Sequence, residues 1–154
     1  MIDIRPAQPD DAGALAELEE RASVAALGHL FGSHPYPLGD VLVRWSLVLE
    51  QPDVSTLVAH EGAELVGYVA CDSTSLRHLG VAPDRFGTGL AHQLHERAVD
   101  VWEAGGARRA QLWVLAGNLR ARAFYQRNGW AADGREQDCP WPPYPVEVGY
   151  TLAL

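Results

Sequence analysis

Apolar positions along the chain recur with two periods, and the alternation between them predicts the order of elements. Ile2-Asp-Ile-Arg5 alternates residue by residue as a short strand does, and Pro9-Asp-Asp11 then opens a helix with acids in its first turn. In that helix Ala14, Leu15, Leu18, Ala22 and Ala25 recur at helical spacing, with fraying expected near Gly28. Gly28 to Gly39 carries His29, Phe31, His34, Pro35, Tyr36 and Pro37, which is loop chemistry with aromatic content. A second helix from about Asp40 to Glu50 sets Val41, Trp45, Val48 and Leu49 on one side. Val54 to His60 and Glu64 to Cys71 are β-rich runs around Glu61-Gly62-Ala63, the spacing of an antiparallel hairpin with glycine where positive φ is easiest. Asp72-Ser73-Thr74 turns the chain into a third run, Leu76 to Val81, closed by Pro83. A helix from about Thr88 to Glu103 buries Leu90, Leu94, Ala98, Val99 and Trp102 and stops at Gly105-Gly106. A strand at Ala110 to Ala116, a helix at Leu119 to Asn128, and strands near Trp130 to Arg135 and Val146 to Leu152 complete a mixed α/β order with no repeat or linker.

Two stretches carry more than packing. Leu79-Gly-Val-Ala-Pro-Asp-Arg-Phe-Gly-Thr-Gly-Leu-Ala91 runs from a strand through glycines into a helix. Such a loop turns bare N–H groups outward at the positive end of the helix dipole and can hold a diphosphate without a lysine. Alone, Gly87-x-Gly89 fits a tight turn equally well. The second stretch lies about thirty residues on, Leu112-Trp-Val-Leu-Ala-Gly-Asn118 followed by Ala121-Arg-Ala-Phe-Tyr-Gln-Arg-Asn-Gly-Trp130.

Together these stretches, within about residues 63 to 130, resemble the GNAT superfamily of N-acetyltransferases, which move an acetyl group from acetyl-coenzyme A to an amine. The family's glycine loop reads Arg or Gln, two residues, Gly, one residue, Gly or Ala. Aligned on Phe86-Gly87-Thr88-Gly89-Leu90-Ala91, the pattern finds its two small positions in Gly89 and Ala91, but Phe86 takes the basic position and Arg85 sits one place early. Asn118, Ala121, Phe124, Tyr125, Gly129 and Trp130 match the second pattern. The resemblance implies one N-acetyltransferase domain over residues 1–154, with a mostly antiparallel central sheet flanked by about four helices. It implies acetyl-CoA held by Leu79, Gly80, Val81, Phe86, Gly87, Thr88, Gly89, Leu90, Ala91, Asn118, Ala121 and Tyr125, with no metal.

Composition narrows the class. A chain of 154 residues can bury most of its apolar surface without disulfides, and two cysteines, Cys71 and Cys139, fit small buried hydrophobes in a reducing compartment. No apolar run approaches the roughly 20 residues that cross a bilayer, and Met1-Ile-Asp-Ile-Arg5 lacks the pattern of a leader, so the expectation is a cytoplasmic, soluble protein without a membrane partner. The formal net charge of -8 argues against a nucleic-acid partner and suits a cationic amine. An anionic cofactor must then be met locally, by loop amides and by Arg85, Arg120 or Arg122.

Acyl transfer to an amine needs a neutral amine, a donor to the oxygen that gains charge, and a proton for the departing thiolate. Tyr125, a phenol with an ordinary pKa of about 10, is the candidate for the last task, a role the resemblance also implies. Without the motif it reads as packing beside Phe124. Asn118 reads as a helix N-cap, to which the resemblance adds a cofactor contact. Leu79 and Val81 matter through their backbone, if neighbouring strands splay there. For the general base, the strand positions that relatives use correspond to Ser75, Arg77 and Trp113, none of them a plausible base; His78, Asp72, His34 and Glu147 are the alternatives. His92, His95 and Glu96 lack the spacing of a helical zinc site and read as a solvated face. Around the amine, His34, Tyr36, Trp45, Asp72, Trp141 and Tyr144 are the candidates, and Pro140-Trp-Pro-Pro-Tyr144 reads as a stiff lid or equally as a connector or homodimer contact. The competing classes are a non-catalytic acetyl-CoA sensor or scaffold, and a nucleotide-dependent oxidoreductase or kinase, disfavoured because the loop lacks Gly-Lys-Ser/Thr and a third glycine.

Overall fold

The computed structural model describes residues 1–154. The observed order is β1 (Ile2–Pro6), α1 (Ala12–Phe31), α2 (Leu38–Glu50), β2 (Ser55–Glu61), β3 (Glu64–Cys71), β4 (Leu76–Val81), α3 (Leu90–Ala104), β5 (Arg109–Leu115), α4 (Leu119–Arg127), β6 (Ala131–Asp138) and β7 (Val146–Ala153). This is the order the hydrophobic pattern predicts. The strands form two antiparallel sheets, β1-β2-β3-β4 and β5-β7-β6. α1 and α2 cover one face of the first sheet, where Leu15, Leu18, Val41, Trp45, Val58 and Tyr68 share a core. α3 and α4 lie over the other, where Leu90, Leu94, Trp102, Leu112, Tyr125, Trp130 and Tyr150 share a second.

Local chemistry sets the boundaries. Asp11 accepts from the Gln8 N–H at 2.7 Å and from Arg5 at 2.8 and 3.0 Å, and the guanidinium holds its carboxyl below the usual carboxylate range. Gly62 turns the β2–β3 hairpin at φ 60°. Two expectations fail in α1. The helix does not fray at Gly28 but runs one turn on, because Leu30 packs over Gly117, where a Cβ would stand 2.5 Å from its methyl group. Ala14 and Ala25 face solvent, and Ala12 and Ala16 take the buried stripe with Leu15 and Leu18. No helix is long and apolar enough to cross a membrane.

Another correction concerns α3. His95 is 1% exposed and is part of the core, not of a solvated face. Its Nε2 accepts from the Trp130 indole at 2.9 Å, so the ring proton sits on Nδ1, 3.3 Å from Glu96, and burial lowers its pKa. His92 meets Asn128 at 2.9 Å. The two histidines therefore serve different neighbours.

Candidate functional site

The two sheets touch through one parallel bridge, Ser75 to Gln111, supported by the Gln111 N–H on the Thr74 carbonyl at 2.9 Å. Beyond it β4 and β5 run side by side without pairing. The phase of the β3–β4 ladder decides what that gap contains: the Ala82 N–H donates to Val66 at 2.9 Å, so residues 82, 80 and 78 bond toward β3. Leu79 and Val81 consequently aim N–H and C=O into the gap. A peptide-like arm can pair there as an added strand.

At the wide end of the gap the chain enters the glycine loop. Gly87 and Gly89 hold φ of 75° and 88°, conformations that favour glycine, and nothing lies within 4 Å of a Cβ built on either. The N–H groups of Gly87, Gly89, Leu90, Ala91 and His92 have no acceptor in the protein. Five free donors at the start of a 15-residue helix make an anion cradle. The groove that contains it, about 740 Å³, is lined by Arg85, Arg120, Arg127 and His92 and by no Asp or Glu, in a protein of net charge -8. Arg120 lies over the Phe86 ring at 4.0 Å, and Arg85 pairs with Glu61 at 2.9 Å.

A larger cleft of about 1520 Å³ opens on the other side of the gap, between α1, α2 and the bare face of the second sheet. Its walls include Glu19, Asp40, Asp72 and Glu147 with Arg44, Arg77 and Arg135. Most of these charges are spoken for: Glu19 by Arg44 and the Tyr36 hydroxyl, Asp72 by Arg77 and the N–H groups of Thr74 and Ser75, Arg135 by Asp133. Glu147 meets only the Gln137 amide, at 2.9 Å, and no cation. His78 stacks on Trp45 at 4.9 Å; burial, with the nearby cations Arg44 and Arg77, pushes its pKa down to about 3, so it stands neutral. Tyr125 lines both cavities, 8% exposed, and its hydroxyl has no partner in the protein. Burial raises its pKa, so the phenol keeps its proton.

The sequence profile of the Acetyltransferase (GNAT) family matches residues 15–130, three quarters of the chain. The chain belongs to this family. A mycothiol acetyltransferase of Beutenbergia cavernae is 36% identical over 124 residues, which make up 74% of this chain and 42% of that protein. This GNAT chain thus spans less than half of that relative's length. An acetyltransferase of Thermus thermophilus superposes with a TM-score of 0.73 at 25% identity, over 100% of this chain and 97% of that one. The PaiA N-acetyltransferase of Thermoplasma acidophilum, solved in complex with coenzyme A, gives 0.77 at 16% identity over 100% and 99%. At that identity the likeness is one of fold.

Among the residues singled out from the sequence of this GNAT chain, the fold gathers Leu79, Gly80, Val81, Phe86, Gly87, Gly89, Ala91, Asn118, Ala121 and Tyr125 around one groove. Thr88 stands outside it with its hydroxyl on the Arg85 carbonyl, and the Leu90 side chain is buried in the core, leaving only its N–H to the cradle. Asn118 caps α4 by accepting from the Ala121 N–H at 3.2 Å. Arg122 is turned inward to the Tyr150 hydroxyl and the Ala116 carbonyl, so it is no phosphate ligand. Of the residues expected around the amine, His34, Tyr36, Asp72 and Trp141 line the larger cleft. Trp45 does not: it is fully buried between Tyr68 and His78. Tyr144, in a turn at φ 61°, is 57% exposed and lines neither cavity. Trp141 reaches across to pack on the α1–α2 core, so the proline segment spans the mouth of the cleft. Sequence reasoning missed Arg127, Glu19 and Tyr68. Arg127 was legible as a basic residue one helical turn beyond Ala123; the other two depend on contacts between distant segments.

Proposed function

We propose that the chain is a single-domain N-acetyltransferase that carries an acetyl group from acetyl-CoA to an amine, by direct attack of the amine. One observation carries the reading. An acid-free groove floored by unpaired amides and a cleft with Glu147 unpaired by any cation in its wall open on opposite sides of one gap, and Tyr125 lines both. The amides of Gly87 and of Gly89 to His92 fit a diphosphate, with Arg120 and Arg127 beside it, and the inward backbone groups of Leu79 and Val81 fit an amide-bearing arm. Bound acetyl-CoA supplies an acyl group activated as a thioester. Tyr125 holds a proton at its phenolic oxygen for the departing sulfur and regains it from water. No carboxylate stands at Arg77 or Trp113, and His78, pushed down to about 3, is too weak a base, so the proton of the amine leaves through water, with Glu147 as the acceptor in the wall.

A carboxylate without a cation, facing an aromatic cleft, favours a cationic amine on an apolar body. The absence of a base on β4 or β5 is the one observation in favour of a non-catalytic acetyl-CoA sensor. Free-thiol release from acetyl-CoA, measured across polyamines, aminoglycosides, peptide N-termini and the amine that mycothiol acetyltransferases use, separates the two. Turnover with at least one amine is expected; tight coenzyme A binding with no product from any amine supports the sensor.

A further inference from the structure

Tyr68 carries a hydroxyl that the fold leaves unused. It stands in the middle of β3, 4% exposed, with its ring edge-on to Trp45 at 5.3 Å. Packing alone would be served by phenylalanine. Elsewhere in the interior phenols are bonded: Tyr36 donates to Glu19 at 2.9 Å, and Tyr150 accepts from Arg122 at 2.9 Å. Tyr68 and Tyr125 are not, and both line the groove and the cleft. Both hydroxyls open into these cavities instead of being sealed in the core, so each is free to donate to a ligand bound there.

The position of the hydroxyl says which ligand atom. Tyr68 pairs across the ladder with Gly80, and a Cβ on Gly80 would stand 2.4 Å from the Tyr68 oxygen. The ring therefore lies over β4 in the space that any larger residue at position 80 would fill. On either side of Gly80, Leu79 and Val81 present the backbone groups that face the gap. Tyr68 thus reaches the gap from the face of the sheet covered by α1 and α2, and Tyr125 reaches it from the face covered by α3 and α4.

We propose that the Tyr68 hydroxyl donates a hydrogen bond to the thioester carbonyl oxygen, supplementing the β4 backbone, while Tyr125 serves the sulfur from the opposite side. The inference rests on the acetyl-transfer reading above. During transfer the amine lone pair forms the C–N bond, the carbonyl π pair moves onto oxygen and returns, and the C–S bond breaks with its electrons on sulfur. Sulfur takes the Tyr125 proton, the amine loses one proton to water, and the Tyr68 proton stays on its own oxygen, shared with the carbonyl throughout.

The test is Tyr68→Phe, which keeps the ring against Trp45. Three readouts are expected: coenzyme A affinity within about twofold of wild type by calorimetry, kcat lowered about 10- to 100-fold, and a displaced carbonyl stretch. With acetyl-CoA labelled at the carbonyl carbon, the infrared band of the bound acetyl group lies at lower wavenumber than in water for wild type and moves back up in the variant, a change that a structural role would not produce. Gly80→Ala should lower kcat as well, and the double variant should lose no more than Tyr68→Phe alone. An unmoved band with full kcat in Tyr68→Phe overturns the proposal. Equal weakening of coenzyme A and acetyl-CoA puts the hydroxyl on the arm and overturns it too. Failure of wild type to bind acetyl-CoA would remove the acetyl-transfer reading itself, a result distinct from either.

Discussion

The groove and the cleft that meet at Tyr125 are built by different means. The groove is made largely of backbone: two glycines with positive φ, five amides without acceptors, and two residues of β4 whose groups face an unpaired edge. The cleft is made of side chains that come from α1, α2, β4, β5, β6, β7 and the segment before β7. Backbone recognition is indifferent to most substitutions outside the glycines, whereas recognition by side chains changes with every residue in the wall. On the proposed function, the contrast teaches that the groove should tolerate substitution and that specificity for the amine should reside in the cleft.

The comparison breaks most sharply at the junction. Tyr125→Phe removes a hydroxyl that has no partner in the fold and keeps the ring packed with Phe124 and Trp130, at centroid distances of 5.6 and 5.9 Å. It should lower kcat about 10- to 1000-fold and leave coenzyme A affinity within a few-fold. An acyl donor with a better leaving group should recover part of the loss. Steady-state rates on the identified amine check this, and an unchanged rate would return Tyr125 to packing.

On the groove side, Gly89→Val should weaken coenzyme A by about 10- to 100-fold in calorimetry, because a branched side chain fills the open space over the cradle. Its φ of 88° adds strain, so the apoprotein should melt a few degrees lower while remaining folded. Gly87→Ala and Gly89→Ala should fall between. Full affinity in all three would show that the anion sits elsewhere.

Both sides carry a neutral histidine, and this gives a pH signature. His78, at about 3, and His95, lowered by burial, bind a proton in the unfolded chain near the ordinary value of about 6.5 before they do so when folded. The unfolded state thus holds more protons between those values, and stability falls as pH drops through that window. For His78 the loss from about pH 7 to about pH 5.5 is about 1 kcal/mol. Chemical denaturation at a series of pH values checks it, and His78→Gln should flatten the slope.

The smallest effect belongs to the lid. Trp141→Ala opens the mouth of the cleft without touching the groove, so KM for the amine should rise about three- to fivefold with the coenzyme A affinity unchanged. A change in coenzyme A affinity instead would mean that the two regions are not independent.

The same division governs what the chain discloses as a sequence. The strand and helix order, the Gly62 hairpin and the stretch from Leu79 to Ala91 are local: each rests on neighbours within a few residues, and periodicity or glycine placement displays them. Asn118 is legible as a cap from its place between a strand end and a helix, whereas Tyr125 reads as packing beside Phe124 until the family resemblance is drawn. Trp45 could be placed on the apolar side of α2, but not assigned between core and cleft, since that depends on Tyr68 and His78 from another layer. His95 looked solvated because its neighbours in sequence are polar, and its partner, Trp130, lies 35 residues away. Arg122 and Arg127 are equivalent in sequence, but only the packing of Tyr150 decides which one turns inward. Tyr68 reads as one more strand aromatic until its pairing with Gly80 is seen.

The central claim is that backbone amides of one groove hold the cofactor while the acceptor cleft stands apart from it. Amide NMR of the labelled chain titrated with coenzyme A tests this most directly. The account predicts saturable shifts and slowed hydrogen exchange at Gly87, Gly89 to His92, Leu79 and Val81, with Gln111, Trp113, Gln137 and Glu147 unmoved. Shifts concentrated in the acceptor cleft, or none at the five cradle amides at saturation, would contradict it.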